Sequence, residues 1–123
     1  MRRLAAHSLV TALVLGLLGC AEITADNWPT ITVTGAITNS LNQPAPGALL
    51  TIQSFAPNAC GTSSTEQRFD VRANASGLYK AELTTIMPTY SACIRVTVGA
   101  TSRDTTVVDV PAFNSVQLDV LLP

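Results

Sequence analysis

Short runs of alternating apolar and polar residues make up most of the chain after residue 29. Ile31, Val33 and Ile37 alternate with threonine or alanine, the period-two pattern of a strand with one buried face. Similar short runs, several of them rich in β-branched residues, recur at 48–53, 68–73, 78–83, 90–98, 105–110 and 115–122. Clusters of Gly, Pro, Asn and Ser separate many of them. Seven short strands at about ten-residue spacing predict an all-β, two-sheet sandwich.

The beginning of the chain has a different pattern. Arg2 and Arg3 precede an apolar run from Leu4 to Leu18, an arrangement typical of a secretory signal peptide. The run is shorter than the roughly twenty apolar residues that a membrane-spanning helix needs. We therefore expect residues 1–19 to be a signal peptide that is cleaved from the mature protein.

The end of this segment, Leu17-Leu18-Gly19-Cys20, resembles the bacterial lipobox, in which the cysteine thiol receives a diacylglyceryl group. The resemblance implies that Cys20 is lipidated and starts the mature chain, with residues 20–29 as a tether. The resemblance implies three acyl chains, such as palmitate, and at about 0.8 kcal/mol per buried CH2 these exceed the two chains that stable anchoring needs. Ala21 stands where lipoproteins of the inner membrane carry Asp, so we expect anchoring at the outer membrane. The alternative is a plain secretory signal with an incidental Cys20.

Removal of the leader and lipidation of Cys20 leave Cys60 and Cys93 as an even pair in an exported chain. A disulfide is the expected state of such a pair. It would close a loop of roughly thirty residues and stabilise the domain by about 3 to 4 kcal/mol. The alternative, a redox pair, lacks C-x-x-C spacing and a neighbouring histidine. We predict a structural disulfide in one domain over residues 30–123.

Composition narrows the classes of function. The 123-residue chain has a net charge of −1, and loss of Arg2 and Arg3 leaves five Lys/Arg against eight Asp/Glu, about −3. This balance argues against nucleic-acid binding. The only histidine, His7, lies in the leader, so the mature chain lacks Ser-His-Asp and Cys-His machinery and His-containing metal sites. We expect a protein that is not an enzyme and holds no metal or cofactor.

Three segments carry a family resemblance: Thr34 to Ile37, Gln43 to Leu50, and Asn74 to Tyr79. They resemble the carboxypeptidase regulatory-like domain family, with matches at turn and packing positions, namely Gly35, Pro44, Gly47, Ala48, Gly77 and Tyr79. The resemblance implies a transthyretin-like, or prealbumin-like, sandwich over residues 30–123 and a binding domain without catalytic residues. Asn42 replaces the first glycine of the family's turn, and Asn74-Ala75 replaces its Thr-Asp.

Carboxylates and aromatic rings are the remaining candidates for chemistry. Asp104, Asp109 and Asp119 lack the Asp-x-Asp-x-Asp spacing of a cation loop, so we expect them on a solvated face. Trp28 in the tether and Tyr90 at a loop rim are candidate platforms for stacking on a sugar, with packing into the core as the alternative.

Together these features predict a lipid-anchored protein of the bacterial cell envelope that acts as a non-catalytic interaction or structural module. Its expected partners are the membrane, through the lipid on Cys20, and an unknown envelope protein or glycan. The alternative is a carbohydrate- or peptidoglycan-binding lipoprotein that uses Trp28 and Tyr90.

Overall fold

The computed structural model describes residues 28–62 and 64–123. The predicted signal peptide, the predicted lipidation at Cys20 and the first part of the tether lie outside the described residues. No helix among the described residues has the length and apolar character needed to cross a membrane.

Eight strands form two sheets in the described part of the chain. The strands are β1 (Thr30–Thr38), β2 (Leu49–Phe55), β3 (Gln67–Arg72), β4 (Leu78–Thr84), β5 (Thr89–Val98), β6 (Thr101–Pro111), β7 (Ser115–Gln117) and β8 (Val120–Leu121). In the first sheet β1 pairs antiparallel with β4 and parallel with β7 and β8. The second sheet has the order β3-β2-β5-β6 and is antiparallel throughout. The predicted all-β, two-sheet sandwich is confirmed.

The predicted count of seven strands is wrong by one. The segment expected to form one strand at 115–122 forms two short strands, β7 and β8. Between them the Asp119 carboxylate accepts the Ala36 N–H at 2.9 Å, so a side chain replaces the backbone partner that β1 would otherwise find there. Leu118 still donates its N–H to the Thr34 carbonyl at 2.8 Å. The last segment therefore follows β1 closely, although its ladder is interrupted.

The core lies between the two sheets. Every second residue of β1 from Ile31 to Ile37 is buried, as the alternation predicts. The largest fully buried side chains are aliphatic and come from both sheets, and they include Ile31, Ile37, Leu50, Ile52, Leu83, Ile94 and Val96. Burial of such a side chain contributes about 1.5 to 3 kcal/mol, so this cluster fixes the sandwich on which the surface loops are mounted.

The predicted disulfide between Cys60 and Cys93 is confirmed, with their Cα atoms 5.3 Å apart. Cys93 lies between Ala92 and Ile94 on β5, and alternation directs its side chain to the outer face of the second sheet. It is nevertheless 1% exposed, because the connection after β2 folds back over that face. The Thr106 hydroxyl of β6 reaches the same connection and donates to the Pro57 carbonyl at 3.4 Å.

Two turns account for the departures from the family pattern. Asn42 has φ +58°, a left-handed conformation that asparagine adopts more readily than most residues, so it serves where glycine is usual. The Asn74 side-chain carbonyl accepts the N–H groups of Ser76 and Leu78 at 2.9 and 3.0 Å. The Asn74-Ala75-Ser76 segment is thus a side-chain-stabilised turn.

Candidate functional site

Three segments meet at the end of the sandwich where β1 begins, which we call the tether end. They are residues 28–30, the β4–β5 connection at 85–88 and the β6–β7 turn at 112–114. Backbone hydrogen bonds of 2.7 to 2.9 Å join them: Thr85 N–H to the Pro29 carbonyl, Phe113 N–H to the Thr30 carbonyl and Ala112 N–H to the Pro88 carbonyl. Segments far apart in sequence therefore form one continuous surface.

Large apolar side chains of these segments are exposed. The exposed fractions are 44% for Trp28, 87% for Ile86, 60% for Met87 and 73% for Phe113. None of the residues in the three segments is charged. We call these four side chains the apolar tip. A cluster of exposed apolar groups on one surface indicates an interaction site more strongly than the same residues scattered singly.

A groove of about 460 Å3 opens beside the indole, lined by Trp28, Pro29, Thr85 and Ile86. Its shape depends on the Thr85 hydroxyl, which accepts the Met87 N–H at 3.1 Å. This local bond holds the β4–β5 connection in a turn while Ile86 projects outward. The groove therefore has a preformed backbone and a largely apolar lining.

A second groove, of about 560 Å3, continues along the same end and contains Glu66, Met87 and Ser91 among its lining residues. Gln67 forms part of its wall by joining the two sheets. The Gln67 amide nitrogen donates to the Thr84 carbonyl at 2.8 Å, and its carbonyl oxygen accepts the Thr84 N–H at 3.0 Å. One side chain of β3 thus acts as a backbone partner for β4.

The prediction of Tyr90 as an exposed stacking platform is wrong. Tyr90 is 8% exposed because the inward alternation of Ala92 and Ile94 continues through the start of β5. Burial raises the pKa of its hydroxyl, and the adjacent Ser54 hydroxyl opposes part of that rise. Neither hydroxyl meets full hydrogen-bond geometry with a partner in the described part of the chain. Trp28, the other predicted platform, is exposed and lines the first groove.

The three candidate aspartates have separate local partners. Asp104 receives two hydrogen bonds from the Arg95 guanidinium, at 2.7 and 2.8 Å, and these hold the pKa of Asp104 below its usual value. Asp109 lies in a β-bulge with φ +52°, where its N–H donates to the Ser91 hydroxyl at 2.9 Å. Asp119 caps the Ala36 N–H. Each carboxylate has a structural role.

One group of potential metal ligands occurs among the described residues. The ligand atoms of Cys60, Cys93 and Asp104 lie within 4.8 Å of one another. The two sulfur atoms are joined in the disulfide, so they offer no thiolate, which is the form of cysteine that binds metals. In this oxidised state the cluster is a structural staple beside an ion pair.

Sequence reasoning missed three of the four residues of the apolar tip. Ile86 and Met87 fall in a predicted connection, and Phe113 falls in the break after Pro111. The available signal was the presence of large apolar side chains inside segments that should be polar if they were only solvated loops.

No family model matches this chain, and no curated protein matches it. Its fold is similar to that of solved dioxygenase structures. The dioxygenase domain of a dioxygenase carbohydrate-binding protein fusion from the cellulolytic bacterium Streptomyces sp. SirexAA-E has 15% identity and a TM-score of 0.45, covering 80% of this chain and 82% of that one.

Two structures from Pseudomonas putida show a similar degree of likeness. Chlorocatechol 1,2-dioxygenase has 12% identity and a TM-score of 0.49, covering 80% of this chain and 61% of that one. Hydroxyquinol 1,2-dioxygenase from strain DLL-E4 has 12% identity and a TM-score of 0.47, with 80% and 58% covered. This chain therefore spans about three fifths of each of these enzymes.

The expectation that the protein is not an enzyme is contradicted by these comparisons, since the three structures described above are dioxygenases. The fold gives no ground for excluding catalysis. At 12 to 15% identity the likeness concerns the fold alone, and it assigns no reaction to this chain.

Proposed function

We propose that this protein is a lipid-anchored protein of the bacterial cell envelope, attached through Cys20, whose sandwich acts as an interaction or structural module. The observation that carries the proposal is the Cys60–Cys93 disulfide, because disulfides persist in oxidising compartments outside the cytosol. The basic and apolar leader supplies the export signal, and the Leu-Leu-Gly-Cys sequence supplies the anchor.

The surface best suited to an interaction is the tether end rather than a sheet edge. Strand β6 is an edge strand of the second sheet, and an exposed edge is the usual place for an extended peptide to add as a further strand. Such addition is opposed by the bulge at Asp109 and by the charges of Arg103 and Asp104. Bulges and charged side chains both protect the edge strands of natural proteins from pairing with other chains. The apolar tip and the two grooves carry no comparable protection.

Binding of carbohydrate or peptidoglycan is less well supported by this geometry. Tyr90 is buried, so of the two predicted stacking rings only Trp28 is available. The groove beside Trp28 is lined by Pro29, Thr85 and Ile86, which offers few hydrogen-bonding groups to a sugar. Ligand sites normally place several polar groups beside the apolar surface to fix orientation.

We also propose that the sandwich belongs to the carboxypeptidase regulatory-like family. The support is the packing of family positions: Tyr79 lies opposite Gly35 in the β1–β4 ladder, and Gly77 has φ +71°. A Cβ at Gly77 would lie 2.7 Å from the Ile37 carbonyl oxygen, so only glycine fits this turn.

The anchor is tested by expressing the full chain with Cys20→Ser and separating membranes from soluble protein. We expect the variant to leave the membrane fraction, whereas a matched Ala21→Ser control stays there. Mass spectrometry of the control should show the acyl groups on Cys20. Membrane retention of Cys20→Ser would show that the lipid is not the anchor.

The interaction role is tested by crosslinking the intact lipoprotein in cells and identifying the attached molecules by mass spectrometry. One recurrent envelope protein supports the module. Crosslinks that are spread without preference over abundant proteins, as with an unrelated lipoprotein used as the control, would contradict it.

A further inference from the structure

We propose that the apolar tip is a membrane-contact surface, in which Trp28, Ile86, Met87 and Phe113 enter the interface of the bilayer that holds the acyl chains of Cys20. The inference rests on the proposed function, because it requires the lipid anchor. It adds that the sandwich makes a second contact of its own with the bilayer and therefore has a fixed orientation above it.

The spacing of Cys20 and Trp28 limits the distance between the tip and the bilayer. Trp28 follows Cys20 by eight residues, which span at most about 28 Å when fully extended. The opposite end of the sandwich is further away by the length of β1, whose nine residues extend about 30 Å. The tether end is thus the part of the fold nearest to the anchoring membrane, and a bilayer is the large apolar surface within its reach.

The chemistry of the tip suits the interface between lipid and water. An indole ring favours this depth because it combines an apolar body with one polar N–H. Ile86 and Met87 supply aliphatic and thioether groups beside it. Because the three segments contain no charged residue, their entry does not require a charge to leave water. Glu66 lines the second groove and marks the side that stays solvated.

Several backbone N–H groups of the tip already have hydrogen-bond partners within the fold. The N–H groups of Thr85, Met87 and Phe113 are donated to Pro29, Thr85 and Thr30, respectively. A loop whose polar groups are paired internally loses little when water is removed, whereas unpaired groups would oppose insertion. The same bonds that assemble the tether end therefore lower the cost of placing it against lipid.

Phe113 gives a second, independent indication that the apolar tip is a contact surface. It has φ +64° and is 73% exposed, so a bulky aromatic residue occupies a left-handed conformation that favours glycine or asparagine. Neither the backbone nor burial in the sandwich accounts for phenylalanine at this position. Strained residues of this kind are found at functional sites, and contact with lipid gives the exposed ring a favourable environment.

Attraction to the membrane is hydrophobic in this arrangement. The tip contains no Lys or Arg, so it has no means of recognising anionic headgroups. Contact should therefore occur with neutral phosphatidylcholine and require no anionic lipid, and salt should not weaken it, since screening acts only on charges.

Trp28 is the only tryptophan of the chain, so its fluorescence reports directly on the tip. The acylated protein is reconstituted into phosphatidylcholine vesicles with and without brominated acyl chains. We expect a blue-shifted emission that brominated lipid quenches about twofold or more, and several-fold protection from an aqueous quencher relative to soluble Cys20→Ser. High salt should change none of these values.

Three acylated variants distinguish a loss of membrane contact from a change in the stability of the fold. Phe113→Asn should reduce quenching by brominated lipid while raising the thermal midpoint, because it relieves the left-handed strain. Ile86→Ser should reduce quenching with an unchanged midpoint. Leu41→Ser, at a 74% exposed leucine in the turn after β1 at the opposite end, is the matched control and should change neither.

The outcomes also distinguish this inference from the proposed function. A Trp28 emission typical of water, open to the aqueous quencher in protein whose acyl groups are confirmed by mass, would overturn the membrane contact and leave the anchor intact. A shift produced by peptidoglycan fragments and not by vesicles would overturn it in favour of a glycan site. Absence of the acyl mass, with protein that washes off membranes, would remove the anchor itself.

Discussion

The Tyr79 ring lies across Gly35, its direct neighbour in the β1–β4 ladder. A Cβ on Gly35 would come within 2.7 Å of the Tyr79 ring carbon Cε1 and would also overlap the Leu118 carbonyl. Across the space that glycine leaves, the Tyr79 hydroxyl donates to that same carbonyl. These contacts join three segments of the first sheet, β4, β1 and the connection between β7 and β8.

Gly35→Ala should therefore lower the free energy of unfolding by about 2 to 3 kcal/mol, since it overpacks a site closed by backbone on one side. Urea titration followed by tyrosine fluorescence or circular dichroism measures the change. Gly99→Ala is the control: it has a positive φ but nothing within 4 Å of the added Cβ, so it should cost only about 1 kcal/mol. Equal costs for the two variants would contradict the packing argument.

Stability should fall at alkaline pH because of Tyr79. Burial, and secondarily the charge of Asp119, raises the pKa of its hydroxyl. The folded state thus holds the Tyr79 proton more tightly than the unfolded state does. The contribution of Tyr79 to the free energy of unfolding is therefore constant below the unfolded-state pKa of about 10 and decreases above it by about 1.4 kcal/mol per pH unit. Tyr90 acts in the same direction.

Tyr79→Phe should flatten the dependence of the unfolding free energy on pH above about 10, leaving the smaller contribution of Tyr90. At neutral pH the variant should also lose about 1 kcal/mol, because the Leu118 carbonyl loses its donor. Denaturant unfolding across the alkaline range measures both effects. A slope unchanged by the substitution would show that Tyr79 does not govern alkaline unfolding.

Removal of the disulfide should destabilise the domain strongly. The bond links residues 33 positions apart, and the entropy model assigns about 3 to 4 kcal/mol to a loop of this size. A double variant, Cys60→Ala with Cys93→Ala, should show this loss in urea titration, and reduction of the native protein should reproduce it. Two free thiols in protein extracted from the envelope would contradict a structural disulfide.

The Gln67 amide should contribute more to the free energy of unfolding than its partly exposed position suggests. Gln67→Ala removes both hydrogen bonds to Thr84 and leaves those backbone groups without their partner, so we expect a loss of about 1 to 3 kcal/mol. Gln53→Ala is the matched control, because its amide bonds only the exposed Thr65 hydroxyl at 3.0 Å. Hydrogen exchange at the Thr84 amide should accelerate in the first variant alone.

Alternation predicted the sandwich well because burial along a strand follows the side-chain period directly, as in β1. The strand predicted at 105–110 is longer than expected, since β6 already begins at Thr101. The division between β7 and β8 was not predictable from local pattern, because it depends on Asp119 meeting Ala36, 83 positions earlier. No window of sequence contains both residues.

The candidate site was harder to predict than the fold for a related reason. Trp28, Met87 and Phe113 lie in three separate segments, and only the backbone bonds at the tether end bring them to one surface. Tyr90 was misplaced because its position next to a predicted loop suggested exposure, whereas it shares the buried face of β5 with Ala92 and Ile94.

The pairing of β1 also determines the order in which the fold can form. β1 is the first strand of the described residues, but its parallel partners are β7 and β8, with Thr32 opposite Ser115 and Ile37 opposite Val120. Local hairpins such as β5–β6 can close early, whereas one side of β1 stays unpaired until residues 115–121 are in place. Pairings of such long sequence separation are slow to form. A chain built in this way cannot complete its first sheet until the strands that follow β6 are present.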